Sequence, residues 1–157
     1  MYIFKSYSPE NTANLGKAIG KSLRGSEILC FSGDLGAGKT TLTQSIAEGM
    51  GIKDYVTSPT FTIINEYDGD IALYHFDVYR LGDPDELFDI GYDEYIDSDG
   101  VCIIEWSNLI ESELPKDRLE IQLKRLDGEN HREMHILATG DYHKELLERI
   151  EKELAKC

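Results

Sequence analysis

The chain has 157 residues, 41% of them hydrophobic, and a net charge of −14 from 30 acidic and 16 basic side chains. That length supports one packed domain over residues 1–157 without disulfides or structural metal. The charge excludes strong direct binding to an RNA or DNA backbone, and no apolar run reaches the roughly 18 residues of a membrane span.

In chain order, residues 2–7 read as a short strand, and the opening MYIFKSYSPE turns polar too early for a secretory leader. Cytoplasm is therefore the expected compartment. SPENTANLGKAIGKSLRG reads as a helix, with Ser8 as N-cap, Pro9 at the first position and Gly25 as the stop. EILCFSG is a buried strand, and KTTLTQSIAEGMG is a second helix closed by Gly49 and Gly51. FTIINEYDGDIALYHFDVYR is β-rich and carries the turn signal Asp68-Gly69. DPDELFDIGYDEYI is acidic, with helical spacing over its first half. VCIIEW is a continuous apolar run, as expected of a strand covered on both faces. RLEIQLKRL and REMHILAT flank Asp127-Gly128 and predict a second hairpin, and DYHKELLERIEKELAK predicts an amphipathic closing helix. The pattern predicts an α/β protein: a three-layer, P-loop NTPase-like fold with a mixed, twisted sheet and helices on both faces. Cys30 and Cys102 lie in apolar runs and read as small buried hydrophobes; Cys157 is terminal and carries no assigned role.

Between the second strand and second helix stands GDLGAGKTT, which fits G-x-x-x-x-G-K-[ST] through Gly33, Gly38, Lys39 and Thr40. Glycines let successive amides turn toward an anion, and the helix N-terminus adds partial positive charge. Lys39 can reach the β- and γ-phosphates of a nucleotide, and the Thr40 hydroxyl is placed for Mg²⁺. The candidate nucleotide-binding span is Gly33, Leu35, Gly36, Ala37, Gly38, Lys39, Thr40 and Thr41.

Such a loop needs a carboxylate at the end of a buried strand. Glu105, ending VCIIE, and Asp77, in LYHFDVYR, are the candidates. In TSPTF, Pro59 fixes the backbone ahead of Thr60, whose hydroxyl could reach Mg²⁺ or the γ-phosphate; a polar turn entering a strand is the alternative. His75 and Asp77 form His-x-Asp, but no further Cys or His cluster supports zinc. Arg80 faces either phosphate or a neighbouring acid.

GDLGAGKTT, SPTF, YHFDVYRL and IIEW, in this order and spacing, closely resemble the TsaE (formerly YjeE) ATPases of bacteria, from SPENTANLG to about Asp117. The resemblance implies a component that binds and hydrolyses ATP during formation of threonylcarbamoyladenosine at position 37 of tRNAs reading ANN codons. It implies action within a complex with TsaD and TsaB, with tRNA reached only indirectly and ATP turnover resetting the complex. Carried over by position, Gly36 to Thr40 hold phosphates, Thr40 and Glu105 hold Mg²⁺, and Thr60 is the switch threonine. Asp77 orders the attacking water or the switch, and Trp106 packs against the site or a partner. Glu10, Thr12 and Arg132 are the candidates for adenine and ribose, and the catalytic set is Lys39, Asp77, Glu105 and Thr60.

Three rival readings use the same loop. A small-molecule kinase needs an arginine-bearing lid, and no Arg cluster is evident. A GTPase needs Asn-Lys-x-Asp, which is absent. A nucleotide-gated assembly factor with incidental turnover needs the same pocket and stays open. No arginine finger is evident beyond Arg80, which predicts slow turnover until a partner completes the site.

Overall fold

A computed structural model describes residues 1–33, 38–57, 63–79, 81, 83 and 85–156. Seven strands, β1 (Tyr2–Ser6), β2 (Ile28–Gly33), β3 (Ile64–Tyr67), β4 (Leu73–Asp77), β5 (Val101–Glu105), β6 (Arg118–Arg125) and β7 (Arg132–Thr139), form one sheet. Its order is β1-β7-β6-β2-β5-β4-β3. The pairs β6–β2, β2–β5 and β5–β4 are parallel, while β1–β7, β6–β7 and β3–β4 are antiparallel. The mixed sheet and both hairpins predicted from sequence are present.

Helices α1 (Pro9–Ser22), α2 (Lys39–Gly49) and α5 (Asp141–Leu154) cover one face. Two short helices, α3 (Glu86–Asp89) and α4 (Tyr92–Ile96), and a 3₁₀ helix (Ser107–Glu113) cover the other. Alternation along β2 serves both cores. Leu29 and Phe31 pack with Leu42, Ile46 and Ile150 on the first face, while Ile28 and Cys30 pack with Leu87, Tyr92 and Ile110 on the second. All five residues of β5 are buried, as a strand covered on both faces requires. In β6, by contrast, only alternate residues Leu119, Ile121 and Leu123 are buried. Among the described residues the second core includes none from β1, β6 or β7, so that half of the sheet is covered on one face only. Burial pushes the Cys30 and Cys102 thiols up to about 12, so both stay protonated and act as hydrophobes. No helix among the described residues is long and apolar enough to cross a membrane.

Ser8 caps α1 as expected, its hydroxyl accepting from the Asn11 amide at 3.1 Å. The helix ends at Ser22, three residues before Gly25. The buried Glu27 carboxylate sets that boundary by accepting from the Arg24 and Gly25 amides at 2.7 and 2.6 Å. At the end of α2 the Ile52 amide donates to the Ala47 carbonyl and the Gly51 amide to that of Glu48, a Schellman closure. The acidic segment predicted as a helix is broken into α3 and α4, with Gly91 at positive φ between them. The 3₁₀ helix had no sequence signal; it is tied to β2 where the Ser107 hydroxyl donates to the Phe31 carbonyl at 3.2 Å.

Two long-range devices fix the helical layer. The first is the crossing of α1 on α2, where a Cβ added at Gly20 would stand 2.2 Å from the Ile46 carbonyl oxygen and 2.8 Å from the Gly49 Cα. The second anchors α5. Its N-cap, Gly140, has no side chain to satisfy the first amides, and Asp117 reaches across to accept from those of Tyr142 and His143. Buried His143 accepts from the Ile28 amide through Nε2 at 2.9 Å, so its proton sits on Nδ1 and is donated to Asp117 Oδ1 at 2.6 Å. Partial burial pulls the Asp117 carboxyl upward, but its bonds from His143 and Tyr142 outweigh this and hold it below its ordinary 3.8.

Gly20→Val should therefore cost on the order of 3 kcal/mol, because backbone rather than a flexible side chain must give way. An unchanged urea midpoint would show that the helices part without penalty. His143→Leu strands the buried Ile28 N–H and should cost about 1–3 kcal/mol. The Asp117 contribution has the sign of a depressed acid: it is complete above pH 3.8 and lost as pH falls through the lower, folded-state value. In acid titrations the stability gap between wild type and Asp117→Ala should thus narrow as pH falls through that lower value, and a gap independent of pH would refute the assignment.

Candidate functional site

The site gathers where β2, β4 and β5 end. At Gly33 φ is +131°, and an added Cβ would stand 2.0 Å from the Leu123 carbonyl oxygen, so only glycine lets the chain leave the sheet here. Gly38 is the N-cap of α2, with φ of 102° and no side-chain cap. No acidic residue stands in the first turn of α2, and the Leu42 amide is bonded to the Gly38 carbonyl. A helix N-terminus carries partial positive charge, and with no acid in its first turn this one suits an anion.

Lys39 is 7% exposed. Its Nζ donates to the Gly33 carbonyl at 3.2 Å and lies 4.4 Å from the centre of the Trp106 ring. Trp106 itself adopts φ 62°, ψ 32°, a left-handed conformation costly for a bulky residue. Its ring meets that of the exposed Tyr79 at 4.8 Å. A buried ammonium beside the N-terminus of a helix is electrostatically suited to meet an anion.

Glu105 ends β5 and is 3% exposed. Register places it between Phe31 of β2 and Asp77 of β4. Because Glu105 and Asp77 are paired, both carboxylates project from the same sheet face at the strand ends. Asp77 Oδ1 accepts from the Tyr79 amide at 3.0 Å. Glu105 Oε2 lies 2.7 Å from Nε2 of the fully buried His75.

A cleft beside the start of α2 is lined by Ser8, Pro9, Thr12, Gly38, Thr41, Asn130 and Arg132. It brings Thr12 and Arg132, distant in sequence, to the edge of the Gly38–Thr41 turn. Glu10 is exposed on the first turn of α1 and does not line it. Thr12 Oγ1 shares a 2.7 Å hydrogen bond with Ser6, and the Arg132 guanidinium donates to the Glu129 and His131 carbonyls. Leu35, Gly36, Ala37, Pro59, Thr60 and Arg80 lie outside the described residues, as does Cys157.

The donor set suits a phosphorylated ligand: helix amides and an ammonium for anionic oxygens, and a carboxylate with a hydroxyl for a hard cation. Sequence reasoning missed His75 as the neighbour of Glu105, and Ser8 and Asn130 as cleft residues. His75 could have been placed on the Asp77 face by strand alternation, but its partner depends on the β4–β5 register.

Fold and site together define the class, an α/β protein of the P-loop NTPase-like kind. Residues 6–134 match the family model for threonylcarbamoyl adenosine biosynthesis protein TsaE. The tRNA threonylcarbamoyladenosine biosynthesis protein TsaE of Bacillus subtilis is 45% identical over 150 residues, covering 95% of this chain and 93% of that one. Its counterpart in Treponema pallidum is 40% identical, covering 83% and 96%. The crystal structure of YdiB from Bacillus subtilis superposes with a TM-score of 0.81 at 40% identity, covering 96% of this chain and 94% of the other. The chain belongs to the TsaE family, whose members take part in threonylcarbamoyladenosine biosynthesis.

Trp106 is the single tryptophan, so its emission reports on the lysine above it. Lys39→Ala should change the Trp106 emission spectrum while leaving far-ultraviolet circular dichroism intact. Superimposable spectra would show that the cation–ring contact is not formed in solution.

Proposed function

We propose that this chain is the ATP-hydrolysing component of the threonylcarbamoyladenosine system, Mg²⁺-dependent, slow alone, and stimulated in the cytoplasm by TsaD and TsaB, whose complex its turnover resets. The observation that carries the reading is the buried Glu105, held beside Asp77 at the strand ends where β2 delivers the uncapped start of α2 and Lys39. Family membership supplies the biosynthetic context.

In this reading the backbone amides of GDLGAGKT and the Lys39 ammonium hold the phosphates, with Gly36, Leu35 and Ala37 among the backbone contributors. Thr40 and Glu105 hold Mg²⁺, which when bound neutralises charge on the phosphate oxygens. Asp77, fixed by the Tyr79 amide, orients the attacking water, and Thr60 is the switch hydroxyl. Thr12, Thr41 and Arg132 meet the nucleoside along their shared cleft, and Glu10, on the first turn of α1, is the further candidate. Hydrolysis here is mostly positioning and charge stabilisation, so a slow basal rate follows when no cationic side chain is supplied for the transition state.

A second reading, nucleotide-gated assembly with incidental turnover, is favoured by Tyr79 and Leu109, exposed beside Trp106 where a partner could sense the Lys39 position. Phosphate release from ATP separates the two, measured for the chain alone and then with TsaD and TsaB. Slow release that rises with the partners and falls at least about 100-fold in Glu105→Ala supports the ATPase. Tight ATP binding without release under either condition leaves only the gated module.

A further inference from the structure

We propose that His75 is a positioning residue for the metal-binding carboxylate: its Nε2–H fixes the Glu105 rotamer through Oε2 and leaves Oε1 directed at the cation. The inference rests on the reading of Glu105 as a Mg²⁺ ligand.

His75 is fully buried in β4, and Nε2 lies 2.7 Å from Glu105 Oε2. A carboxylate oxygen accepts, so the proton of this contact belongs to Nε2. The other ring nitrogen, Nδ1, is buried with no hydrogen-bond partner. An apolar side chain at this position, in a strand whose neighbours Leu73 and Phe76 are both core residues, would leave no such orphan. The imidazole is therefore a poor choice for packing alone, and its one bond accounts for its presence. That bond runs diagonally across the β4–β5 pair, from the residue opposite Ile103 to the one opposite Asp77, so the sheet register itself sets its length.

The consequence for Glu105 is geometric. A glutamate has three rotatable bonds, and the strand backbone restricts χ1 without fixing the carboxylate end. A fixed donor on one oxygen removes that freedom before the cation arrives, and such outer-shell partners typically change metal affinity 10- to 100-fold. His75 touches neither nucleotide nor metal in this scheme; it acts through Glu105.

The test reads metal affinity rather than turnover. Free Mn²⁺, standing in for Mg²⁺, is measured by electron paramagnetic resonance in titrations of the ADP-loaded full chain. His75→Gln keeps an N–H where Nε2 stands, whereas His75→Asn, equally polar, falls short of Glu105. Asn should weaken Mn²⁺ binding by about 10- to 100-fold, Gln should restore most of it, and metal-free ADP binding should be the same in both. Equal Mn²⁺ affinity in wild type and His75→Asn, with a loss in Glu105→Ala, overturns the role of His75 and leaves the Glu105 reading standing. Unchanged affinity in Glu105→Ala as well overturns both. Loss of metal-free ADP binding in step with Mn²⁺ binding would mark His75 as structural and also overturn the proposal.

Discussion

The site depends on the pairing of β5 between β2 and β4. Phe31, Glu105 and Asp77 lie in one row of the parallel ladder, and a slip of one residue in either pair would turn a carboxylate to the opposite face. What prevents the slip is burial on both sides. Val101 and Ile103 belong to the first core and Cys102 and Ile104 to the second, so any shift exposes or crowds four side chains at once. The same constraint sets the His75–Glu105 distance and places the β2 exit, hence Gly33 and the start of α2, beside the acids. The geometry of the candidate site and core packing are here one problem, solved by one strand.

Strand and helix existence was largely legible because it rests on local signals: Ser8-Pro9 before α1, the continuous run of β5, the alternation of β6 and β7. The element ends were less so. Gly25 reads as a helix stop, yet α1 ends earlier because Glu27, buried, claims the Arg24 and Gly25 amides. The 3₁₀ helix is set by a long-range bond from Ser107 to Phe31, and the start of α5 by Asp117 standing in for a missing N-cap. In the site, Lys39, Glu105 and Asp77 were legible from motif and strand end. The positions of Thr12 and Arg132 in one cleft, and of His75 on Glu105, follow from three-dimensional register and crossing, which carry no local trace.

Net charge and site chemistry pull in opposite directions. A chain of −14 repels a nucleotide polyphosphate as it repels nucleic acid, but at physiological salt that repulsion decays over about 8 Å. In the proposed function, capture of a nucleotide is then decided by groups within a few ångströms of its phosphates. There α2 has no acid in its first turn, and Lys39 is almost fully withdrawn from water. The carboxylates at the ends of β4 and β5 are hydrogen-bonded, Asp77 to the Tyr79 amide and Glu105 to His75.

Lys39 joins these elements to the surface. In this structure its ammonium rests between the Gly33 carbonyl and the Trp106 ring, and Trp106 is held in a left-handed conformation with exposed Tyr79 against it. In the proposed function a phosphate near the start of α2 draws on the same ammonium. In that reading, movement of the lysine toward a phosphate takes it from the Trp106 ring, so one side chain is shared by the buried site and the aromatic pair at the surface.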